Sequence, residues 1–460
     1  MLTQSHTEDI NRIIKNIENN TNNIITIKNR EMEEDFHVSI VGCKQVIFQN
    51  VTFNKTFKFV GCTDLSFILM FKDCIFLDSM FVSDNLLNTF EFIRCAGKIG
   101  FITNGAINNV CHLEGVSFEE IFIYNINFNN LSILYSKNLS INMANIICDL
   151  FLFYGNLERF KLSTNGNTKA QTRSVIKQFN LGISSSLEGS ISINGFNIEK
   201  LLIRGKADKI LLDFVDNNFK DIVINNLING GSIKFSNVNF LDDATITIIE
   251  SDLGKAVLFG IDFDQVKAFS IGTVNLNDVV YSGIKWCKRI ITMPEKPMSF
   301  AQLRETYKQL KNVTAKQNDK PEELRFHSLE MRSYKQELKS ISKRWNDKII
   351  LYFNEWTNDH GQSWVQPFFT ILGIIIAIYF PIKILLGFTT FNIAKTPTAI
   401  AEMMECFNPI RKFNDSFGLN KQPLDNNSTA WAKVLDIFFL RLVVGLLIFQ
   451  MVKAFRKYIR

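Results

Sequence analysis

A chain of 460 residues with 46% hydrophobic content, 21% charged residues and 42 phenylalanines is too apolar to be disordered and too long for one ordinary domain. Its 8 prolines and 23 glycines exclude collagen-like and proline-rich linker architectures. A net charge of +6 is too weak to imply nucleic-acid binding unless it is concentrated locally, and no nucleic-acid partner is expected.

The amino terminus, MLTQSHTEDINRIIKN, lacks the basic region and apolar core of a secretory signal, so the bulk of the chain is expected in the cytosol. Residues 8–19 set Ile10, Ile13, Ile14 and Ile17 at helical spacing. They predict a helix within a capping segment, 1–36, that covers an open sheet edge. Cys43, Cys62, Cys74, Cys95, Cys111, Cys148, Cys287 and Cys406 form no CxxC pair and read as buried thiols in a reducing compartment.

A six-residue pattern then recurs: apolar, any, turn-forming or small, apolar, any, apolar or aromatic. Its clearest copies are FQNVTF from Phe48, FKDCIF from Phe71, LEGVSF from Leu113, FVDNNF from Phe214, FSNVNF from Phe235, LFGIDF from Leu258 and YSGIKW from Tyr281. With weaker copies at Phe92, Leu134 and Ile193, the starts are spaced 23, 21, 21 and 21 residues, and later 21, 21, 23 and 23. So short a period leaves no room for a helix pair and predicts one coil of a right-handed parallel β-solenoid over residues 37–290. Phe48, Phe53, Phe71, Phe76, Phe214, Phe219, Phe235 and Phe240 are expected to form its internal ladder.

The third position holds Asn50, Asp73, Gly115, Gly195, Asp216, Asn237, Gly260 and Gly283. These residue types tolerate the left-handed conformation of a coil corner. Asp73 and Asp216 would otherwise suggest the carboxylates of a saccharide-active β-helix, which would need export. Between residues 160 and 190 the pattern lapses into an expected insertion, where Lys169, Arg173 and Lys177 could form a binding loop.

From Pro294 the chain turns helical and basic. Residues 294–361 predict a hairpin neck, with Ser299 as N-cap, Pro321 in the first turn of a second helix reaching Ile350, and Leu303, Tyr307 and Leu310 facing Phe326, Met331 and Leu338. Thirteen basic against eight acidic residues give 294–350 a charge of +5. Residues 362–460 form the expected membrane domain: a first span over 365–388, a loop over 389–432, a second span over 433–453 and a basic tail. In the first span Lys383 is expected to snorkel; in the second, Arg441 pairs with Asp436 or lipid headgroups, or lines an anion pathway. The loop carries four basic and four acidic residues, whereas both flanks are basic, with Arg456, Lys457 and Arg460 in the tail. This asymmetry places both termini in the cytoplasm. Trp345, Trp356, Trp364 and Trp431 read as interface anchors.

The phenylalanine spacing, followed by YKQLKN, RFHSLEMRSYKQEL, WTNDHGQSWVQPFF, FNPIRKF and LIFQMVKAFRKYIR, resembles uncharacterised bacterial membrane proteins of the pentapeptide-repeat-like type. The resemblance covers essentially the whole chain, most specifically residues 300–460, and implies a β-solenoid ahead of a two-helix membrane segment in the inner membrane. Some such arrangements look like two-helix ion channels, but the loop holds no TVGYG-like filter.

Catalytic signatures are missing from the sequence: no HExxH, GxGxxG, GxxxxGK[ST] or GxSxG occurs. Glu322, Glu323, His327 and Glu330 share a helix and read as a solvated face rather than a metal site. The expectation is a non-enzymatic membrane protein without cofactor, whose solenoid serves an unknown protein partner as a scaffold. An oligomeric pore or membrane-permeabilising effector is the alternative, with a second copy of the chain as partner.

Overall fold

The structure is a computed structural model that describes residues 2–19, 24–38, 42–136, 139–155, 159–163, 174–184, 188–288, 290, 298–339, 344–386, 396–417 and 426–455. The chain is mainly β and divides into two compact units, Met1–Met298 and Ser299–Arg460.

The first unit is a parallel β-solenoid of about 11 turns, preceded by helix α1, Leu2–Asn19. Ile17 of α1 is fully buried, and its carbonyl accepts a hydrogen bond from Gly42 N. The corners follow from residue type. All eight turn positions of the motif have positive φ, from 51° at Asn237 to 84° at Gly195. Arg94 (φ 52°) and Tyr135 (φ 49°) adopt the same conformation without a favourable side chain, so tertiary pairing imposes it there.

The register shows that the two runs of the motif do not lie above one another. One column of paired residues runs from Ile27 through Phe48, Phe71, Phe92, Leu113, Ile133, Phe153, Leu181, Ile203, Ile224 and Ile248 to Ile271. Another runs from Phe36 through Phe57, Met80, Gly100, Ile121, Ile141, Leu162, Ile193, Phe214, Phe235 and Leu258 to Tyr281. The motif from Phe48 therefore occupies one side of the coil and the motif from Phe214 another. The eight ladder phenylalanines accordingly fall into four columns: Phe48 with Phe71, Phe53 with Phe76, Phe214 with Phe235, and Phe219 with Phe240.

Coil length varies more widely than the sequence spacing indicates. Ile121 pairs with Ile141, a step of 20 residues, and Ile224 with Ile248, a step of 24. The ladder also runs through much of 160–190: Arg159–Ser163, Val175–Ile183 and Glu188–Asn194 are all paired strands. The surplus there is confined to a step of 28 from Phe153 to Leu181 and a step of 31 from Leu162 to Ile193.

Inside the coils phenylalanines stack along each column and meet edge to face between columns. Phe48–Phe71 and Phe71–Phe92 are stacked at 5.1 and 4.9 Å, while Phe48–Phe53 is T-shaped at 5.5 Å. Such pairs contribute about 0.5–1.5 kcal/mol each beyond burial. Phe48, Phe53, Phe71, Phe76, Phe214 and Phe219 are at most 1% exposed, Phe235 is buried, and Phe240 is half-buried against Phe263 at 6.0 Å.

The residue after a corner points inward and ties adjacent coils. Asn217, fully buried, accepts from Phe196 N at 2.9 Å and donates to Ile193 O at 2.8 Å. Asn85 does the same with Cys62 N and Phe59 O, and Ser136, Cys74 and Cys95 occupy the equivalent place with shorter reach. All eight cysteines are buried and free.

The second unit begins with α2 (Phe300–Lys316) and α3 (Lys320–Lys339). Ser299 caps α2 reciprocally with Gln302. Tyr307, Leu310 and Val313 are buried, as are Phe326 and Leu338, whereas Leu303 and Met331 are half-buried. The second neck helix, expected to reach Ile350, ends at Lys339, and a separate helix α4 covers Trp345–Asn358. After a turn at Asp359–Gly361 come α5 (Val365–Leu385), α6 (Thr396–Glu405), α7 (Phe413–Ser416) and α8 (Asn427–Phe455). Helices α5 and α8 are long and apolar enough to cross a membrane.

Candidate functional site

On the solenoid the candidate surface arises from strand alternation. Met80 and Val82 point inward, so Phe81 between them points outward. Register places Phe101 and Phe122 directly above it, each also flanked by buried residues. The three half-exposed rings stack at 4.7 and 5.1 Å, and Tyr124 adjoins Phe122 at 6.0 Å. The column passes to Lys58 on one side and Asn142 on the other. The result is an aromatic patch of three stacked rings on the outer face of the coils. The sequence motif did not disclose it, because these residues lie at outward positions between motif copies.

The other outer groups are structural. Asp73 forms a two-point ion pair with Arg94, Nε to Oδ1 at 2.6 Å and Nη2 to Oδ2 at 2.8 Å. Those hydrogen bonds hold the Asp73 carboxyl below the usual carboxylate range. Asp73 and Asp216 follow different columns and stand at different corners, so they cannot act as a carboxylate pair. His112 bonds Ser132 Oγ at 2.7 Å through Nδ1 and Glu114 at 3.3 Å through Nε2. Ser132 is buried within a strand paired on both sides. In the expected binding loop, Lys177 pairs with Asp149 at 2.8 Å; Lys169 and Arg173 lie outside the described residues.

On α3, Glu322 pairs with Arg325, Glu323 with Lys320, and Glu330 with Lys311 and His327. No group of three metal-ligating side chains occurs among the described residues.

The second unit carries polar clusters at both ends of its apolar pair. At one end Trp364 stacks on Phe455 at 5.1 Å, and Gln450 of α8 bonds Asn354 and Asn358 of α4. At about 1.5 Å rise per residue, Lys383 lies about 28 Å along α5 from Trp364, and Asp436 about 28 Å along α8 from Phe455. That distance matches the roughly 30 Å hydrocarbon thickness of a bilayer.

At the far end Lys383 pairs with Glu402 of α6 at 2.6 Å, and Tyr379 donates to the same carboxylate. Lys383 therefore meets an internal partner instead of snorkelling. Asp436, fully buried, pairs with Arg441 at 2.7 Å and also with Arg411. The arginine within α8 is thus neutralised by the aspartate five positions before it. Arg411, Glu402 and the Phe417 ring between Arg411 and Lys383 complete the cluster; only tertiary folding brings them together. Residues 436–443 form a π-helical turn, which sets Asp436 and Arg441 on one side of α8. Trp364 is 39% and Trp431 65% exposed; Arg456, Lys457 and Arg460 lie outside the described residues.

Comparison with known proteins returned no matching family model, no similar curated sequence and no similar solved structure.

Proposed function

We propose that this protein is a non-enzymatic membrane-anchored scaffold whose solenoid presents one flank to a protein partner. The observation that carries the reading is the outward stack of Phe81, Phe101 and Phe122. Rings that could have been buried in an unusually phenylalanine-rich core are instead half exposed on a regular face, the composition of an interface centre. The inward residues of the coils are mostly apolar, and the inward Asn85 and Asn217 are bound to backbone groups of the adjacent coil, which favours recognition over catalysis.

Helices α5 and α8 are the anchor. Their outward side chains, including Phe369 at 62% and Phe449 at 63% exposure, suit lipid. The basic flanks place both termini, and with them the solenoid, on the cytoplasmic side of an inner or plasma membrane. This matches the resemblance to bacterial membrane proteins with a pentapeptide-repeat-like solenoid. A pore has less support: Arg441 is engaged by Asp436 and is not free to line an anion path.

A photo-crosslinking amino acid at Phe101, introduced into the full chain in native membranes, tests the reading. A discrete protein adduct is expected, and it should vanish when Phe81 and Phe122 are both changed to serine. No adduct from Phe101, or the same adducts from a control probe at Lys234 on the later coils, would contradict it.

A further inference from the structure

Helix α4 turns a stripe of large aromatic and apolar side chains outward. At about 100° per residue, Trp345, Ile349, Tyr352 and Trp356 fall within about 60° of one another around the helix. They are 64, 56, 50 and 64% exposed. The opposite side carries Asn354, Thr357 and Asn358, of which Thr357 and Asn358 are buried, together with the buried Leu351 and, toward its edge, Ile350 at 58% exposure. Asn354 and Asn358 share Gln450 of α8, and Asn358 also accepts from Gly361 N at 3.1 Å. A helix facing water shows the reverse arrangement, with its polar residues outside.

One flank of the stripe is already occupied. Lys335 of α3 lies 3.7 Å from the centre of the Tyr352 ring and also bonds Glu355. Among the described residues, Trp345 and Trp356 keep 64% exposure on the remaining face. Trp364 and Phe369, at the start of α5, are exposed as well. Between the two helices, Asp359 (φ 47°) and His360 (φ 55°) adopt left-handed conformations, which breaks the helix and frees α4 from following the axis of α5.

We propose that α4 lies in the headgroup layer of the bilayer, parallel to its plane, with the Trp345–Trp356 stripe turned toward the acyl chains. The proposal rests on reading α5 and α8 as membrane spans. The occupant is a lipid surface because indole and phenol rings, with an apolar body and a polar edge, concentrate at that depth. Trp345 and Trp356 are about 16 Å apart along the helix axis. They reach the same depth only if the helix lies flat. So placed, α4 is a second, in-plane anchor that braces the neck hairpin against the membrane.

Site-directed spin labelling tests this on the full chain in liposomes. All eight native cysteines are buried, so an added surface thiol is labelled selectively. Labels at W345C, W356C and, as a reference on a span, F369C are compared for accessibility to oxygen and to a water-soluble nickel chelate. The expected result is oxygen-dominated relaxation at all three, with positions 345 and 356 at equal depth just below the phosphates. Aqueous exposure at 345 with lipid contact at 356 would overturn the flat placement in favour of an upright helix. Exposure of both to the chelate, or shielding of both from either reagent as in a protein contact, while 369 reports lipid, would overturn α4 as a lipid-bound helix and leave the spans intact. Aqueous exposure at 369 as well would overturn the membrane reading beneath it.

Discussion

Phe76 and Phe118 lie two coils apart, yet their ring centroids are 5.9 Å from each other. Stacked strands are about 4.8 Å apart, so residues two coils away are ordinarily separated by about twice that. Gly97 occupies the intervening position in the column, and its missing side chain lets the rings close the gap. A Cβ at Gly97 would come 2.4 Å from Cε1 of Phe118. Gly97→Ala is therefore expected to destabilise the solenoid by about 1–3 kcal/mol through overpacking. Denaturant unfolding measures this, and a neutral result would mean that Phe118 repacks freely.

Asn217 supplies one acceptor and one donor to the coil below without any contact with water. Asn217→Leu keeps the volume but leaves the Phe196 N–H and the Ile193 carbonyl unsatisfied. A loss of about 2–4 kcal/mol is expected, since each stranded group costs about 1–3 kcal/mol. Unfolding of the variant beside Asn145→Gly gives the comparison. Asn145 is exposed at an outer corner with φ 54° and, among the described residues, bonds the side chain of Asn125, so its replacement should cost much less.

Asp436 stands between two arginines, and removing it strands both. Asp436→Ala should cost about 3–5 kcal/mol, the range for breaking a buried pair. Arg441→Gln should cost less, because Arg441 is 28% exposed whereas Arg411 is 5% exposed and keeps its partner. Thermal melting in mild detergent ranks the variants. Equal losses would show that Arg441, not Arg411, is the principal partner.

Glu355 is held below the usual glutamate range by its hydrogen bond from Lys335. The folded state therefore binds this proton less readily than the unfolded state. Its contribution to stability is complete above the unfolded value of about 4.3 and disappears as pH falls through the folded value. Melting temperature should decline on acidification, and Glu355→Gln should flatten part of that slope. An unchanged slope in the variant would place the acid sensitivity elsewhere.

The corners were legible because their chemistry is local: Asn, Asp or Gly where φ is positive, two residues after an apolar position of the repeating pattern. Which corner each run occupied was not legible. Two sides of a coil use the same six-residue pattern, and spacing near 21 fits either one; only register separates the Phe48 column from the Phe214 column. The Arg441–Asp436 pair was legible as two opposite charges close together in one apolar helix, although it is the π-helical turn that brings residues five apart onto one side. Glu402 and Arg411 could not, since they reach Lys383 and Asp436 only after the inter-span segment folds back. Phe81, Phe101 and Phe122 escaped notice for a related reason. Each sits on an outward position with no signature of its own, and their alignment depends on coils of 20 and 21 residues.

If α5 and α8 anchor the solenoid at a bilayer, alkaline carbonate extraction of membranes carrying the full chain should leave it in the membrane pellet under conditions that strip peripheral proteins. Quantitative release into the supernatant as a folded protein would contradict that anchoring.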